Sequence, residues 1–505
     1  MTISDDLPRL GRAASDVPAP SGAGILHLGL GSFHRAHQAV YTAAALQRGG
    51  DWGIVGVASR SRSVVDAMHA QDLRYTVATI SPSGMQLSVP GVHTDAYVAA
   101  DDPQRVVRHL ADDGIRIATL TVTENGYSYA AASQRLDLDD PLVRADLVGE
   151  APRTTIGQLA RGLQLRASRA GAPISILSCD NLAANGSHTE RLVREFLSEL
   201  PRGEGADALA FLDASVSFPS SMVDRIVPTT TDRLRAEVSG LLGAIDEIPV
   251  PAEPFTMWAI EDRFAGGRPA WEAGGAVFTD EVGRYEQLKV RLLNGTHSLI
   301  AYLGALRGAA TIPDAIATGG VEAAARAVLR GEYEPSVQVP SDVDVREYER
   351  QLFERWGNSA LRHRTSQVGS DGSVKLRQRV PEPALLALAA GRMPHLIALT
   401  VAGYLSCLAP LPGFDPGPHA AAMTDAAQQR LTELAATAGG GRDLAFRVIA
   451  ERQLLGEQLA GETAFIDRVG DLVDTIARHG VDAAIDDCVG AAADPARPTT
   501  AKELR

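Results

Sequence analysis

Through about the first 284 residues, short β-branched apolar runs alternate with helical patterns. From residue 285 onward the strand signal fades and helical periodicity carries the chain. This change constrains the fold more than any other feature. Strands alternating with helices build a largely parallel sheet covered on both faces, whereas a long run of helices without strands must pack helix on helix. The expected class is therefore an α/β domain over residues 24–284, after a lead-in tail over residues 1–23. An all-α domain over residues 285–505 follows, with helices over 288–307, 316–330, 345–356, 382–390, 394–408, 424–436, 443–458 and 464–479.

The first strand candidate, Ile25-Leu26-His27-Leu28, runs into Gly29-Leu30-Gly31-Ser32-Phe33-His34 and then a helical stretch. Strand, glycine turn and helix in this order is the Rossmann-like, dinucleotide-binding context. The glycines permit a tight turn and close approach of a pyrophosphate, which sits at the helix N-terminus. Gly29, Leu30, Gly31, Ser32 and Phe33 are the candidate cofactor turn, although His34 stands where the third fingerprint glycine belongs. After the second strand candidate, residues 52–58, comes Ser59-Arg60-Ser61-Arg62-Ser63, with no acid before Asp66. An acid here would accept from the ribose hydroxyls of NAD, and arginines would suit a 2′-phosphate. Arg62 is therefore a candidate cofactor contact, and NAD and NADP both stand.

A hairpin is expected around Pro82-Ser83-Gly84, and helices over 106–111 and 156–170. Strand candidates over 115–122 and 174–179 end in Thr123-Glu124-Asn125 and Asp180-Asn181. Strand ends line the cleft of a doubly wound sheet. That makes Glu124 a candidate cofactor contact, and Asn181 a candidate contact to cofactor and to a substrate oxygen. Trp258 and Trp271 read as packing residues.

Residues 285–306, YEQLKVRLLNGTHSLIAYLGAL, carry an apolar stripe of leucine and isoleucine. Taken as an α-helix with Lys289 at the origin, Glu286 falls near ~60°, His297 near ~80° and Asn294 near ~140°. A carboxylate, a lysine, an amide and an imidazole on one side form a proton-handling set. Gly295 within the pattern costs about 1 kcal/mol against alanine, so its small size has a purpose. The stretch lies where the sheet domain gives way to the helical one, a place where a cleft is expected.

Net charge is −14, which argues against nucleic acid as a partner. Cys179, Cys407 and Cys488 lie far apart, with neither zinc nor disulfide spacing, and suit a reducing cytoplasm. No signal peptide is visible, and no apolar run is long enough to span a membrane. Oligomeric state is left open by the sequence.

Several long motifs in order then matter together: HLGLGSFHRAHQAVYT from His27, TVTENGY from Thr121, SCDNLAANG from Ser178, FPSSMVDRIVP from Phe218, EPFTMWAIEDRF from Glu253 and GRPAWEAGGAVFTDEVGRYEQLKVRLLNGTHS from Gly267. Through these the chain resembles the mannitol dehydrogenase family of polyol-specific long-chain dehydrogenases/reductases. The resemblance implies hydride transfer between a nicotinamide cofactor, NAD first, and a secondary alcohol, without zinc. It implies Lys289 as catalytic acid/base, Asn181 and Asn294 holding the reacting oxygen, His297 orienting the substrate and Glu286 linking the lysine to solvent. It places Asp224 in the substrate pocket, and Gly29, Gly31 and Phe33 in the cofactor loop. Two departures stand out: Arg62-Ser63 replaces an acid, and Gln367 replaces a substrate-binding arginine. The second makes the segment around His363 and Arg364 resemble the fructuronate reductase and arabinitol branches, with either side chain a candidate carboxylate contact. The expected substrate pair is D-mannitol/D-fructose, followed by D-mannonate/D-fructuronate and then mannitol 1-phosphate/fructose 6-phosphate. A cofactor-binding sensor without catalysis is the reading from another class.

Overall fold

The structure is a computed structural model that describes residues 7–11, 14, 19–130, 133–149, 151–451 and 454–493. Contacts divide the chain into two units, Met1–Gly283 and Arg284–Arg505. Of the lead-in tail, residues 1–6, 12–13 and 15–18 lie outside the described residues. Its buried Leu10 donates its N–H to Ile245 O at 3.0 Å.

The first unit is built on a six-stranded sheet of β1 (Ala23–Leu28), β2 (Gly53–Ala58), β3 (His93–Val98), β4 (Ile117–Leu120), β5 (Ile174–Ser178) and β6 (Val216–Ser217). Its order is β6-β5-β4-β1-β2-β3, and every neighbouring pair is parallel. This is the doubly wound dinucleotide-binding topology, with the order reversing between β1 and β4. β2 and β5 are buried along their whole length, as strands covered on both faces must be. One core, containing Ile25, Ile54, Trp258 and Trp271, covers one face. A second, containing Leu26, Val55, Ile176 and Phe196, covers the other. The expected hairpin is present as Val77–Ser81 and Gly84–Ser88. β3 is a sheet strand that the sequence reading did not identify.

The second unit is helical throughout its described residues. Its centre is two helices, Thr296–Leu306 and His395–Leu408, buried on nearly every side. Such all-round apolarity belongs to a core helix rather than an amphipathic surface one. Val345–Trp356 has the expected bounds, and Gly372–Arg379 and Val481–Ala493 are additional helices. Among the described residues, three segments wind as π-helix: Lys289–Gly295, Leu329–Tyr333 and Arg447–Glu451. The expected single α-helix over 288–307 is therefore Val282–Leu288, then the π segment, then Thr296–Leu306.

Candidate active site

In the first unit the glycine turn leaves β1 at the switch point. Gly29 has φ +106°, and a Cβ on it would lie 2.1 Å from Thr121 O, so only glycine fits there. The amides of Gly29 and Leu30 donate to Val57 O at 2.9 and 3.0 Å, fastening the turn to the end of β2. Leu30 is a core residue, while Ser32 and Phe33 are half-buried at the start of the short helix Ser32–Ala36. That helix ends at His37, whose backbone at φ −124°, ψ −88° is not helical, and Gln38–Leu46 follows.

His34, in place of the third glycine, is fully buried and stacks on His27 with ring centroids 3.4 Å apart. Its Nε2 lies 3.2 Å from His93 Nε2. His27 contacts Thr119 Oγ1 through Nδ1 at 2.8 Å, and through Nε2 reaches Gly29 O at 3.1 Å and Thr121 Oγ1 at 3.0 Å. Burial pushes His27 and His93 down to about 3, so these imidazoles are neutral props beneath the turn.

At the ends of β4 and β5 the structure reveals a residue whose role sequence reasoning missed. Asp180 accepts from Val122 N–H at 3.1 Å, Thr123 N–H at 2.9 Å and the Tyr127 hydroxyl at 2.7 Å. Thr123 sits at φ +66°, ψ +164°, a conformation nearly restricted to glycine, and Asp180 holds it there. Burial raises the Asp180 pKa, and these three hydrogen bonds oppose the rise. Asn181 is exposed, Glu124 is half-buried in the turn Glu124–Tyr127, and Asp224 is buried at the end of the strand Ser221–Asp224. Arg62 is exposed and paired with Asp101, and Arg60 is exposed beside it. A turn that only glycine can make, an open Gly31 and exposed arginines after β2 suit a dinucleotide with its pyrophosphate at the turn.

In the second unit, Lys289 opens the π segment and Asn294 stands five residues on. A π turn bonds residues five apart, so these two positions approach as i and i+4 do in an α-helix. The ~140° separation expected from α geometry is thus corrected: the wider turn brings the lysine and the amide toward one face. Both are half-buried, as is Glu286 on the preceding helix. A Cβ on Gly295 would stand 2.5 Å from Cζ of the fully buried Tyr333, which is why this position is glycine.

His297 is 7% exposed, and its Nε2 is buried without a hydrogen-bond partner among the described residues. Burial, then His363, Arg379, Arg355 and Lys375, hold it neutral, well below its ordinary value. The His363 ring meets it edge-on at 5.2 Å and is itself pushed down to about 4 by burial. The His363 carbonyl accepts from Ile312 N–H at 2.8 Å, and Arg364 pairs through its backbone with Thr311, leaving its side chain exposed. Among the described residues, no group of three or more His, Cys, Asp or Glu could hold a metal ion. None of the described helices is long and apolar enough to cross a membrane.

A doubly wound dinucleotide-binding unit, paired in one chain with a helical unit bearing lysine, amide and imidazole, defines a class of two-domain oxidoreductase. Family profiles described as "Mannitol dehydrogenase Rossmann domain" and "Mannitol dehydrogenase C-terminal domain" match residues 23–273 and 281–477. The chain belongs to the mannitol dehydrogenase family. It is 38% identical over 387 residues to a D-mannonate oxidoreductase of Escherichia coli, covering 75% of this chain and 79% of that one. It is 31% identical over 469 residues to a mannitol 2-dehydrogenase of Neosartorya fischeri, covering 91% of each. The solved mannitol 2-dehydrogenase of Pseudomonas fluorescens, a ternary complex with NAD and D-mannitol, superposes with a TM-score of 0.81 at 29% identity, over 96% of this chain and 97% of that one.

Proposed function

We propose that this chain oxidises a secondary alcohol of an open-chain polyol or sugar acid, reversibly, with Lys289 as the acid/base. The observation that supports the reading is the π turn that Lys289 opens, with Asn294 five residues on and His297, its Nε2 buried without a hydrogen-bond partner among the described residues, at the start of the next helix. In the oxidation direction the neutral Lys289 amine takes the hydroxyl proton while the carbinol hydrogen departs with its electron pair, leaving a carbonyl. Bound at the glycine turn, a nicotinamide cofactor supplies the hydride acceptor. The amides of Asn294 and Asn181 steady the developing alkoxide without adding charge. His297, held neutral, offers a hydrogen bond to a neighbouring hydroxyl, and Glu286 leads the proton away. Asp224 and His363 are assigned to substrate binding, Arg364 to the rim. Glu124 and residues 29–33 are assigned to the cofactor, which is NAD. The loop after β2 carries no acid to repel a 2′-phosphate, so NADP is expected to serve as well.

The cations around His297 favour a sugar acid, placing D-mannonate/D-fructuronate ahead of D-mannitol/D-fructose. The mannonate oxidoreductase relative supports this order. The neutral pair remains the second reading, supported by the solved relative bound to D-mannitol. Turnover is followed by nicotinamide absorbance with both acids, both neutral sugars and the phosphorylated pair, using NAD and NADP in turn. Lys289→Ala is expected to lower kcat about 100- to 10,000-fold while cofactor affinity holds. An alanine variant that keeps its turnover would sink the assignment, and cofactor binding with no turnover on any substrate would make the chain a sensor.

A further inference from the structure

The π segment that carries Lys289 and Asn294 itself has to be held. Where an α-helix widens to π, the backbone hydrogen-bond ladder slips and carbonyls look for other donors. Asn294 O finds two: Ser298 Oγ donates to it at 3.1 Å, and Arg379 Nη1 donates to it at 3.1 Å. The same Nη1 donates to Ser298 Oγ at 2.7 Å, closing a three-membered ring of contacts. Arg379 is half-buried at the end of Gly372–Arg379, a different helix from the one it braces.

We propose that Arg379 is a positioning residue: it clamps the Asn294 carbonyl and the Ser298 hydroxyl, and so aims the Asn294 amide at the reacting oxygen. A planar guanidinium can serve two acceptors with fixed geometry, which a lysine ammonium on a flexible stem does less well. The clamp acts together with Tyr333, which leaves no room for a side chain at Gly295. Its charge also falls on His297, along with those of Arg355 from Val345–Trp356 and Lys375 from its own helix, while His363, which faces the same ring, is itself pushed down to about 4. The inference rests on the role assigned above to Asn294.

The chain contains five asparagines, so the side-chain amide signals of protein labelled with [15N]asparagine are few, and Asn294 is assigned by its loss in Asn294→Gln. In full-length Arg379→Gln, the Asn294 amide pair should move or broaden while that of Asn185 stays in place. The same variant should lose tenfold or more in kcat at unchanged cofactor Kd. Arg379→Lys should fall between it and the wild type, and Ser298→Thr, which keeps the hydroxyl, should exceed Ser298→Ala. An unmoved Asn294 amide in Arg379→Gln overturns the proposal, as does wild-type kcat in that variant, or cofactor affinity falling in step with kcat. If the wild type turns over no substrate, the functional reading fails alone, because the amide signal still tests the clamp.

Discussion

The contact between Gly295 and Tyr333 gives the most decisive test of how the π segment is made. A Cβ at residue 295 would lie 2.5 Å from Tyr333 Cζ and 2.8 Å from both Cε2 and the hydroxyl oxygen. Carbon atoms in contact prefer about 3.5–4.0 Å, so the overlap is on the order of 1 Å. Tyr333 is fully buried, so its ring has no solvent to swing into. Overpacking of this kind costs about 1–3 kcal/mol. Alanine's helical preference over glycine returns about 1 kcal/mol, leaving Gly295→Ala destabilising by about 0–2 kcal/mol. Replacing Tyr333 with leucine removes the clash, so in that background Gly295→Ala should become neutral or stabilising by up to about 1 kcal/mol. The reversal of sign is the prediction, and a coupling of about 1–3 kcal/mol is its size. Urea unfolding of the two single variants, the double variant and the wild type measures it. Equal effects of Gly295→Ala in both backgrounds would refute the claim that Tyr333 dictates this glycine. If the π register slips as well, kcat of Gly295→Ala should fall while cofactor affinity at the first unit holds.

Two further outcomes concern the first unit. Asp180→Asn keeps the size of the side chain but removes the charge from its three hydrogen bonds, so stability should fall by about 1.5–3 kcal/mol and the Thr123 turn should loosen, weakening cofactor binding. Calorimetric titration and thermal melting measure both effects, and a variant matching the wild type would count against Asp180 as the residue that holds Thr123. The histidines beneath the glycine turn make stability depend on acid. Because His27 and His93 have folded values lowered to about 3 from 6.5, their contribution is complete above about 6.5 and is lost as pH falls toward 3. Each adds a slope of about 1.4 kcal/mol per pH unit within that window. Urea unfolding at pH 7 and pH 4.5 should show a smaller loss in His93→Gln than in the wild type, and equal losses would contradict the burial argument.

Features set by local backbone demands were legible in the sequence. The glycine turn was, because Gly29 is bound by its own φ, and so were the apolar strands, since a parallel strand covered on both faces must be apolar throughout. β3 escaped notice because His93, Thr94 and Asp95 make it look polar, yet His93 is buried against His34 and Asp95 pairs with Arg105. The helix Gly372–Arg379 escaped because its lysine, arginines and glutamine leave little apolar period, though it carries both Lys375 and Arg379. The lysine stretch shows the boundary between local and distant causes. Its polar residues could be singled out by type and spacing, and Gly295 announced a steric need that the structure meets with Tyr333. The angle between Lys289 and Asn294, however, depends on a π turn wedged by Tyr333 and clamped by Arg379, both far along the chain. Asp180 makes the same point from the other unit. As a strand-end acid it could have been a ligand or a cap, and only the fold brings it to Thr123 and Tyr127. Residues proposed to meet substrate thus carry a chemical signature in sequence, while those that hold them in place are ordinary arginines, tyrosines and aspartates whose role exists only through the partner the fold supplies.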